Sequence, residues 1–447
     1  MSLKSDSGFT LIETVIGLAI MAIMVMGISQ LFVTNLTTVA LGKARAVGLA
    51  AANQQMEYLR TLAYTDVSVA GGVVFPQGTI PKNQDVVVDS MTLTVNTDIR
   101  YVDDPYDGKA GGTPNDLNPA DYKRAQVTVY LKSSGKQLAQ LTTDIAAKTE
   151  SSMANSGVLS VNVIDASGLP VEGATVQVTN TTTSPTVNLS STTDSSGILA
   201  IPNLPIDSSN DYNVVVTKAG YSTEQTIAEP AGTQTAYRLN PNVLLQQVTS
   251  LYLPIDKLSN LTVNVKDPTG AVLANSAITI TGAKKTKLTP DVYKYSQVST
   301  TDATGTIALT GIEWDSYSFT PPTGFYLVTA SPYAPLALSP GVSQTINLVL
   351  SATSTLPRIV KVAPATGSVA AGTVAVTITG ANMPSGTTVK LKKAGSTDIS
   401  ATSVVSTNGG ATLTMNFSLT GASAGTWDIA VTSTGTTTQP GGFIVTP

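Results

Sequence analysis

Neither histidine nor cysteine occurs among the 447 residues, which removes the commonest general base, the commonest metal ligand and all thiol chemistry together. No Ser-His-Asp or Cys-His arrangement can be built. The 29 Asp and Glu carboxylates are the only plausible catalytic groups left, able in principle to form the acid–base pair of a glycosidase. Asp165, Asp194, Asp267 and Asp302 stand in Asp-x-x-Gly turns, and turn chemistry accounts for them. Trp314 and Trp427 have the rings to stack on a sugar, but a single tryptophan in a sandwich reads more readily as core or edge packing. Glycine-rich 108–112 lacks the Gly-x4-Gly-Lys-Ser/Thr spacing and the helix start of a phosphate loop, since Lys109 is followed by Ala110. The chain reads as a non-enzyme with no cofactor.

One acid-rich stretch has the oxygen donors that Ca²⁺ prefers: Asp103, Asp104 and Asp107, followed by Asp116 and Asp121. Pro105 and Pro114 fall where an EF-hand needs a ligand and its closing glutamate, so that motif fails. The stretch is expected to be a solvated loop, without a metal.

A different carboxylate stands out by its neighbours. Glu13 opens an apolar run, residues 9–33, long enough to cross a hydrocarbon core of about 30 Å. A carboxylate in such a helix costs up to about 3 kcal/mol at mid-bilayer and less near the interface, so it needs a partner. Cleavage after Gly8 would free an α-amino group on Phe9, and the Glu13 of a neighbouring copy could pair with it. A secretory signal would instead carry a small-residue cleavage site after the apolar core, where this chain has Gln30-Leu31-Phe32-Val33-Thr34.

The segment Gly8-Phe9-Thr10-Leu11-Ile12-Glu13 and its apolar run resemble the prepilin signature of type IV pilins and pseudopilins. The resemblance implies processing at Gly8 and Phe9 by a prepilin peptidase and N-methylation of the new terminus. It also implies assembly with other pilin subunits into a helical filament, through Glu13 and Thr10. Residues 51–60, Ala-Ala-Asn-Gln-Gln-Met-Glu-Tyr-Leu-Arg, resemble the matching region of minor pilins.

The helix should outlast the membrane. Ala40, Ala44, Val47, Ala51, Tyr58 and Leu62 keep helical spacing on one face, while Arg45, Asn53, Glu57 and Arg60 stay polar. Helix 9–64, transmembrane over 9–33, is therefore expected to form the spine of a headpiece at 65–150. Within that headpiece, Met91 to Arg100, Ala125 to Leu131 and Ala139 to Ile145 alternate as strands.

Low charge (12%), few aromatics (5%) and abundant Thr, Val and Gly fit β structure beyond the helix. A net charge of −4 argues against nucleic acid as a partner. Leu159-Ser-Val-Asn-Val-Ile-Asp-Ala-Ser-Gly168 recurs as Leu261-Thr-Val-Asn-Val-Lys-Asp-Pro-Thr-Gly270, which marks a duplicated β-sandwich. Both copies resemble carboxypeptidase-regulatory-like or Cna-B-like domains. The isopeptide crosslink of some Cna-B-like domains is not expected, because the first strand of copy one has no lysine and Lys266 ends that of copy two. The last module, with Pro364-Ala-Thr-Gly367 and Gly380-Ala-Asn382, resembles an IPT/TIG immunoglobulin-like domain.

The expected fold class is an α+β pilin module, a long helix on a small antiparallel sheet, followed by all-β tandem immunoglobulin-like sandwiches. The expected divisions are leader 1–8, helix 9–64, headpiece 65–150, and sandwiches at 156–254, 255–351 and 355–447. The expected function is a minor or tip pilin. It is held single-pass in the cytoplasmic (inner) membrane, N-terminus inside, and then displayed at the cell surface to meet a glycan or protein ligand. A pseudopilin of a type II-like secretion apparatus is the alternative, and a membrane-anchored surface protein with carbohydrate-directed modules a second. Intact mass of the protein recovered from cells should place its N-terminus at a methylated Phe9. A start at Met1 or Ser2 would make the helix a static anchor.

Overall fold

The computed structural model describes residues 11–106, 108, 113, 114, 116, 120–147, 156–229 and 236–447, with the backbone alone at Glu13. Helix α1 (Leu11–Thr61) runs unbroken for 51 residues, about 76 Å at 1.5 Å per residue. It contains no proline. Its threonines return their hydroxyls to the helix: Thr34 Oγ1 donates to Gln30 O at 2.8 Å, and Thr37 and Thr38 both donate to Thr34 O. No unpaired hydroxyl at these positions then faces an apolar surrounding.

The head is an antiparallel sheet in the order β1 (Asn83–Val88), β2 (Met91–Val102), β3 (Tyr122–Leu131), β4 (Lys136–Ala146). Leu93, Val95 and Ile99 of β2 and Ala125, Val127 and Val129 of β3 bury themselves against Ala44, Ala51, Ala52, Met56 and Leu59 of α1. Gly48 lets the helix sit close on β4, since a Cβ there would stand 2.7 Å from the Leu138 Cβ. The expected helix face is partly corrected: Ala40 and Tyr58 are exposed, while Ala52, Met56 and Leu59 carry the packing. Ala40 belongs to the exposed part of the helix ahead of the head, and the sheet selects the stripe through Ala44, Gly48, Ala52, Met56 and Leu59, which turns Tyr58 outward. Strand β1 was not anticipated, because an edge strand open to water on most of its length alternates weakly.

Three sandwiches follow. The first pairs the sheet β11 (Val248–Pro254), β5 (Ser156–Ile164), β8 (Ile198–Pro205) with β10 (Glu224–Gln225), β9 (Asn213–Thr217), β6 (Thr175–Asn180), β7 (Val187–Thr192). In the second, β17 (Thr306–Ile312), β12 (Ser259–Lys266), β21 (Ser343–Ser351) and β19 (Tyr326–Ser331) make one sheet. Its other sheet is β16 (Ser296–Thr300), β13 (Ala277–Gly282), β18 (Asp315–Thr320) and β20 (Leu336–Leu338), with a hairpin, β14 (Lys285–Leu288) and β15 (Asp291–Tyr293), beside it. The third opposes β22 (Arg358–Ala363), β24 (Thr373–Ala381), β28 (Thr412–Ser418), β27 (Thr402–Thr407) to a second sheet. That sheet is β23 (Thr366–Ser368), β30 (Thr436–Thr446), β29 (Gly425–Thr432), β25 (Thr388–Lys392), β26 (Ile399–Ser400). Inward valines, leucines and isoleucines of facing sheets make one core in each.

The sequence repeat is a structural repeat down to its turns. Asp165 Oδ1 accepts from Ser167 N and Leu169 N, and Asp267 Oδ1 accepts from Thr269 N and Ala271 N, at 2.8 and 2.9 Å in each copy. Asp194 and Asp302 do the same in the second pair of turns. Gly168, Gly197, Gly270 and Gly305 close these turns at φ between 71° and 90°, where a side chain would be strained.

The domains are keyed together. Between helix and sheet, the head sends Val73 and Phe75 into the core of the first sandwich, and Ser190 N donates to Gly71 O at 3.2 Å. At the far joint Gln439 Nε2 donates to Ala330 O at 2.8 Å, and Tyr333 packs on the third core. Gly380 marks a bulge opposite β22, where a Cβ would meet Arg358 O at 1.7 Å. Gly380→Ala should therefore destabilise the third sandwich by about 1–3 kcal/mol. Calorimetry should show its transition fall while the others hold.

Candidate functional site

The residues the sequence assigned to processing, Gly8 and Phe9, and Thr10 of the assembly pair lie outside the described residues. Glu13 lies in the first turn of α1. What the structure describes is the surface they introduce. Every described side chain from Leu11 to Ala40 is exposed on all sides of the helix, Leu11 at 83% and Val39 at 72%. The span within Thr14–Thr61 reaches a mean hydropathy of 2.3 with none of that window buried. An apolar surface this large is covered by lipid or by other helices. From Ala44 onward the same helix turns apolar on one face alone and docks on the head.

The acid-rich loop behaves differently from a solvated one at its centre. Asp103, Asp116 and Asp121 bring carboxylate oxygens within 4.8 Å of one another, and Asp116 is buried. Asp121 Oδ2 also accepts from Asp104 N at 2.6 Å. Tyr106, by contrast, is 97% exposed. Three carboxylates at this spacing are a donor set suited to a hard, oxygen-seeking cation. Sequence spacing hid the grouping, because Asp103 and Asp121 meet only where the β2–β3 ladder ends at Val102↔Tyr122, and Asp116 joins them from between.

Beside this loop sits a feature the sequence reading missed. Lys123, on β3, is buried between aromatic rings, its Nζ 4.4 Å from the Tyr64 centroid and 5.6 Å from that of Tyr101. It donates to Tyr64 O at 2.6 Å. Burial pulls its ammonium down to about 8, against the pull of Asp66, which favours the charge. Burial likewise pushes the Tyr64 hydroxyl up to about 12, helped by Tyr101 and Asp121. Period-two alternation placed position 123 on the inner face, and a lysine there was the available signal.

The turn carboxylates are committed to backbone amides, as described above. Trp427 is 1% exposed and donates to Ser423 O at 3.0 Å, so it is core. Trp314 is half-buried under Lys284, whose Nζ lies 3.1 Å from its ring centroid. Lys266 stands exposed at the end of β12. At the joint between the first two sandwiches, Lys294 reaches Glu224 at 3.2 Å and Glu313 at 2.8 Å, and Lys284 reaches Glu313 at 2.7 Å. Burial lowers the pKa of Lys284, and Glu313 opposes the shift. This ladder joins residues far apart in sequence, so no local motif announced it.

Residues 3–29 match the prokaryotic N-terminal methylation motif, and residues 158–241 match the carboxypeptidase regulatory-like domain. No curated protein matches the chain significantly. Among solved structures, the Bacillus anthracis TIE protein is 14% identical over 70% of this chain and 54% of its own, about half its length, with a TM-score of 0.19. The Streptococcal ancillary pilin is 14% identical over 50% and 75%, with a TM-score of 0.21. Shaft pilin SpaA from Lactobacillus rhamnosus GG is 16% identical over 43% and 96%, with a TM-score of 0.15. By its family matches and its fold, the chain carries an N-terminal methylation (type IV pilin leader) motif on a long apolar helix, followed by β-sandwich domains, the first matching the carboxypeptidase regulatory-like domain. The leader motif and the apolar helix it opens support a pilin-type surface subunit anchored in a membrane.

The buried lysine makes the head pH-sensitive in a defined direction. An unfolded lysine titrates near 10.4, so between pH 8 and 10 the unfolded chain holds a proton that the folded head releases. Stability must rise across that window, by on the order of 3 kcal/mol at most. Above about pH 10 the raised Tyr64 reverses the slope, because unfolded tyrosines ionise first. Calorimetric melting of the head should peak near pH 10, and Lys123→Met should flatten the rise from pH 8.

Proposed function

We propose that this protein is a minor or tip subunit of a type IV pilus. The carrying observation is the single helix with two surfaces, exposed all round and mainly apolar from Leu11 to Val33, and one-sided where it meets the head. In the membrane the first part is solvated by lipid; in a filament it is covered by the helices of other pilin subunits. Cleavage between Gly8 and Phe9 by a prepilin peptidase frees the amine that the Glu13 of an adjacent subunit pairs with, and Thr10 lies in the same packing layer.

A minor or tip position follows from bulk. Three sandwiches beyond the head would crowd a filament if every subunit carried them, whereas a few subunits, or one at the end, can project them. The sandwiches then serve adhesion to a glycan or protein on another surface. The N-terminus faces the cytoplasm before assembly, in keeping with Lys4 ahead of the apolar run and the family's topology. A secretion pseudopilin would use the same helix, but nothing in such a role calls for an array of sandwiches.

Glu13→Ala should cut incorporation into sheared filaments at least about tenfold, the effect of losing roughly 1.4 kcal/mol. Its amount in the membrane fraction should not change. Wild-type incorporation would sink the assembly reading. Immunogold labelling along the shaft, rather than at ends or sparse sites, would sink the minor or tip position.

A further inference from the structure

We propose that the first two sandwiches are tension-bearing clamps, built so that a pull between the membrane helix and the distal sandwich loads their end strands in shear. The observation is the direction of pairing. In the first sandwich the entering strand β5 lies parallel to the leaving strand β11, over seven pairs from Val158↔Val248 to Ile164↔Pro254. In the second, the entering strand β12 lies parallel to the leaving strand β21, again over seven pairs, from Asn260↔Ser343 to Lys266↔Val349. Most other pairings in these sandwiches are antiparallel.

Parallel end strands decide how force enters. Tension reaches the second sandwich at the start of β12 and leaves at the end of β21, and these points lie at opposite ends of one ladder. The two strands are dragged past each other along their length. Because the slanted bonds of a parallel ladder are evenly spaced, all of them share the load and must fail together. Were the end strands antiparallel, entry and exit would fall at the same end and the bonds would open one at a time. Survival under a pull is governed by the unfolding rate, so this difference sets lifetime under load rather than equilibrium stability.

Three further features fit the role. Side chains clip the second ladder at two of its paired positions: Asn264 Nδ2 donates to Asn347 Oδ1 at 2.9 Å, and Asn260 Nδ2 donates to Ser343 Oγ at 3.2 Å. Both strands of that ladder lie inside the sheet, held on their other sides by β17 and β19, whereas β11 is an edge strand. The connector between the clamps, residues 255–258, is short, and the Glu224–Lys294–Glu313 ladder bridges the joint beside it. The second sandwich is therefore the stronger clamp. The inference goes beyond filament membership, since it needs only a held helix and a gripped distal end.

The native chain has no cysteine, so pulling handles can be placed at will on the full-length protein in detergent micelles. Lys257→Cys with Thr353→Cys loads β12 against β21 in shear; Lys257→Cys with Val342→Cys grips the same end of both strands and peels them. All three positions are exposed, and unchanged calorimetric transitions would verify that both variants fold. Optical-tweezer rupture at one loading rate should need severalfold more force for the shear pair. Asn347→Ala should lower the shear force and leave the peeling force unchanged. Equal forces in the two directions, or a stronger peel, would overturn the clamp while leaving the assembly of the helix untouched.

Discussion

A helix of 51 residues has to satisfy two different solvents, and the rest of the molecule is arranged around that demand. From Leu11 to Val33 its exposed surface is mainly apolar and none of it packs in the head's core, so that surface must be covered by lipid or by other helices. Over its last twenty the apolar side chains narrow to a stripe, and small residues, Ala44, Gly48, Ala51 and Ala52, let the sheet approach. The head exists as a fixed body because this half of the helix supplies one wall of its core. Whatever covers the first half can change without disturbing the second, because the two halves share no packing.

From that base the chain projects by repetition. Each of the first two sandwiches is closed by Asp-x-x-Gly turns whose carboxylates cap their own backbone, which commits Asp165, Asp194, Asp267 and Asp302 to structure. Each also begins and ends on strands that lie side by side and point the same way, so entry and exit fall at opposite ends of the body. Tandem copies therefore extend the chain along the strand direction instead of doubling back. The polar joints, Gln439 to Ala330 at one end and the Lys294 ladder at the other, tie neighbouring bodies without the large apolar interface that an obligate pair would bury.

The head shows where two kinds of information meet. Lys123 sits where the alternation of β3 points inward, so its burial could be read from the pattern, but its partners could not. Tyr64 comes from the turn after the helix and Tyr101 from the end of β2, and they close over the ammonium only because the sheet curls against α1. The loop acids behave alike: all were visible in the sequence, yet Asp103 and Asp121 come together only through the pairing of β2 with β3, where Asp116 joins them.

Local physics made the helix, its exposed run, the leader motif and the duplicated turns legible in the sequence, since each depends on residues a few positions apart. Hydropathy needs no partner to be read, and an Asp-x-x-Gly turn binds its own amides. The sequence by itself also excluded histidine and cysteine chemistry outright. Tertiary structure alone decided which face of α1 is buried, because a 3.6-residue helix shifts its stripe by degrees that only a facing sheet fixes. It decided the insertion of Val73 and Phe75 into a neighbouring core, the grouping of the loop acids, and the parallel pairing of first and last strands. Those are contacts between segments tens of residues apart, where the side chains alone permit many partners and the packing of the whole selects one.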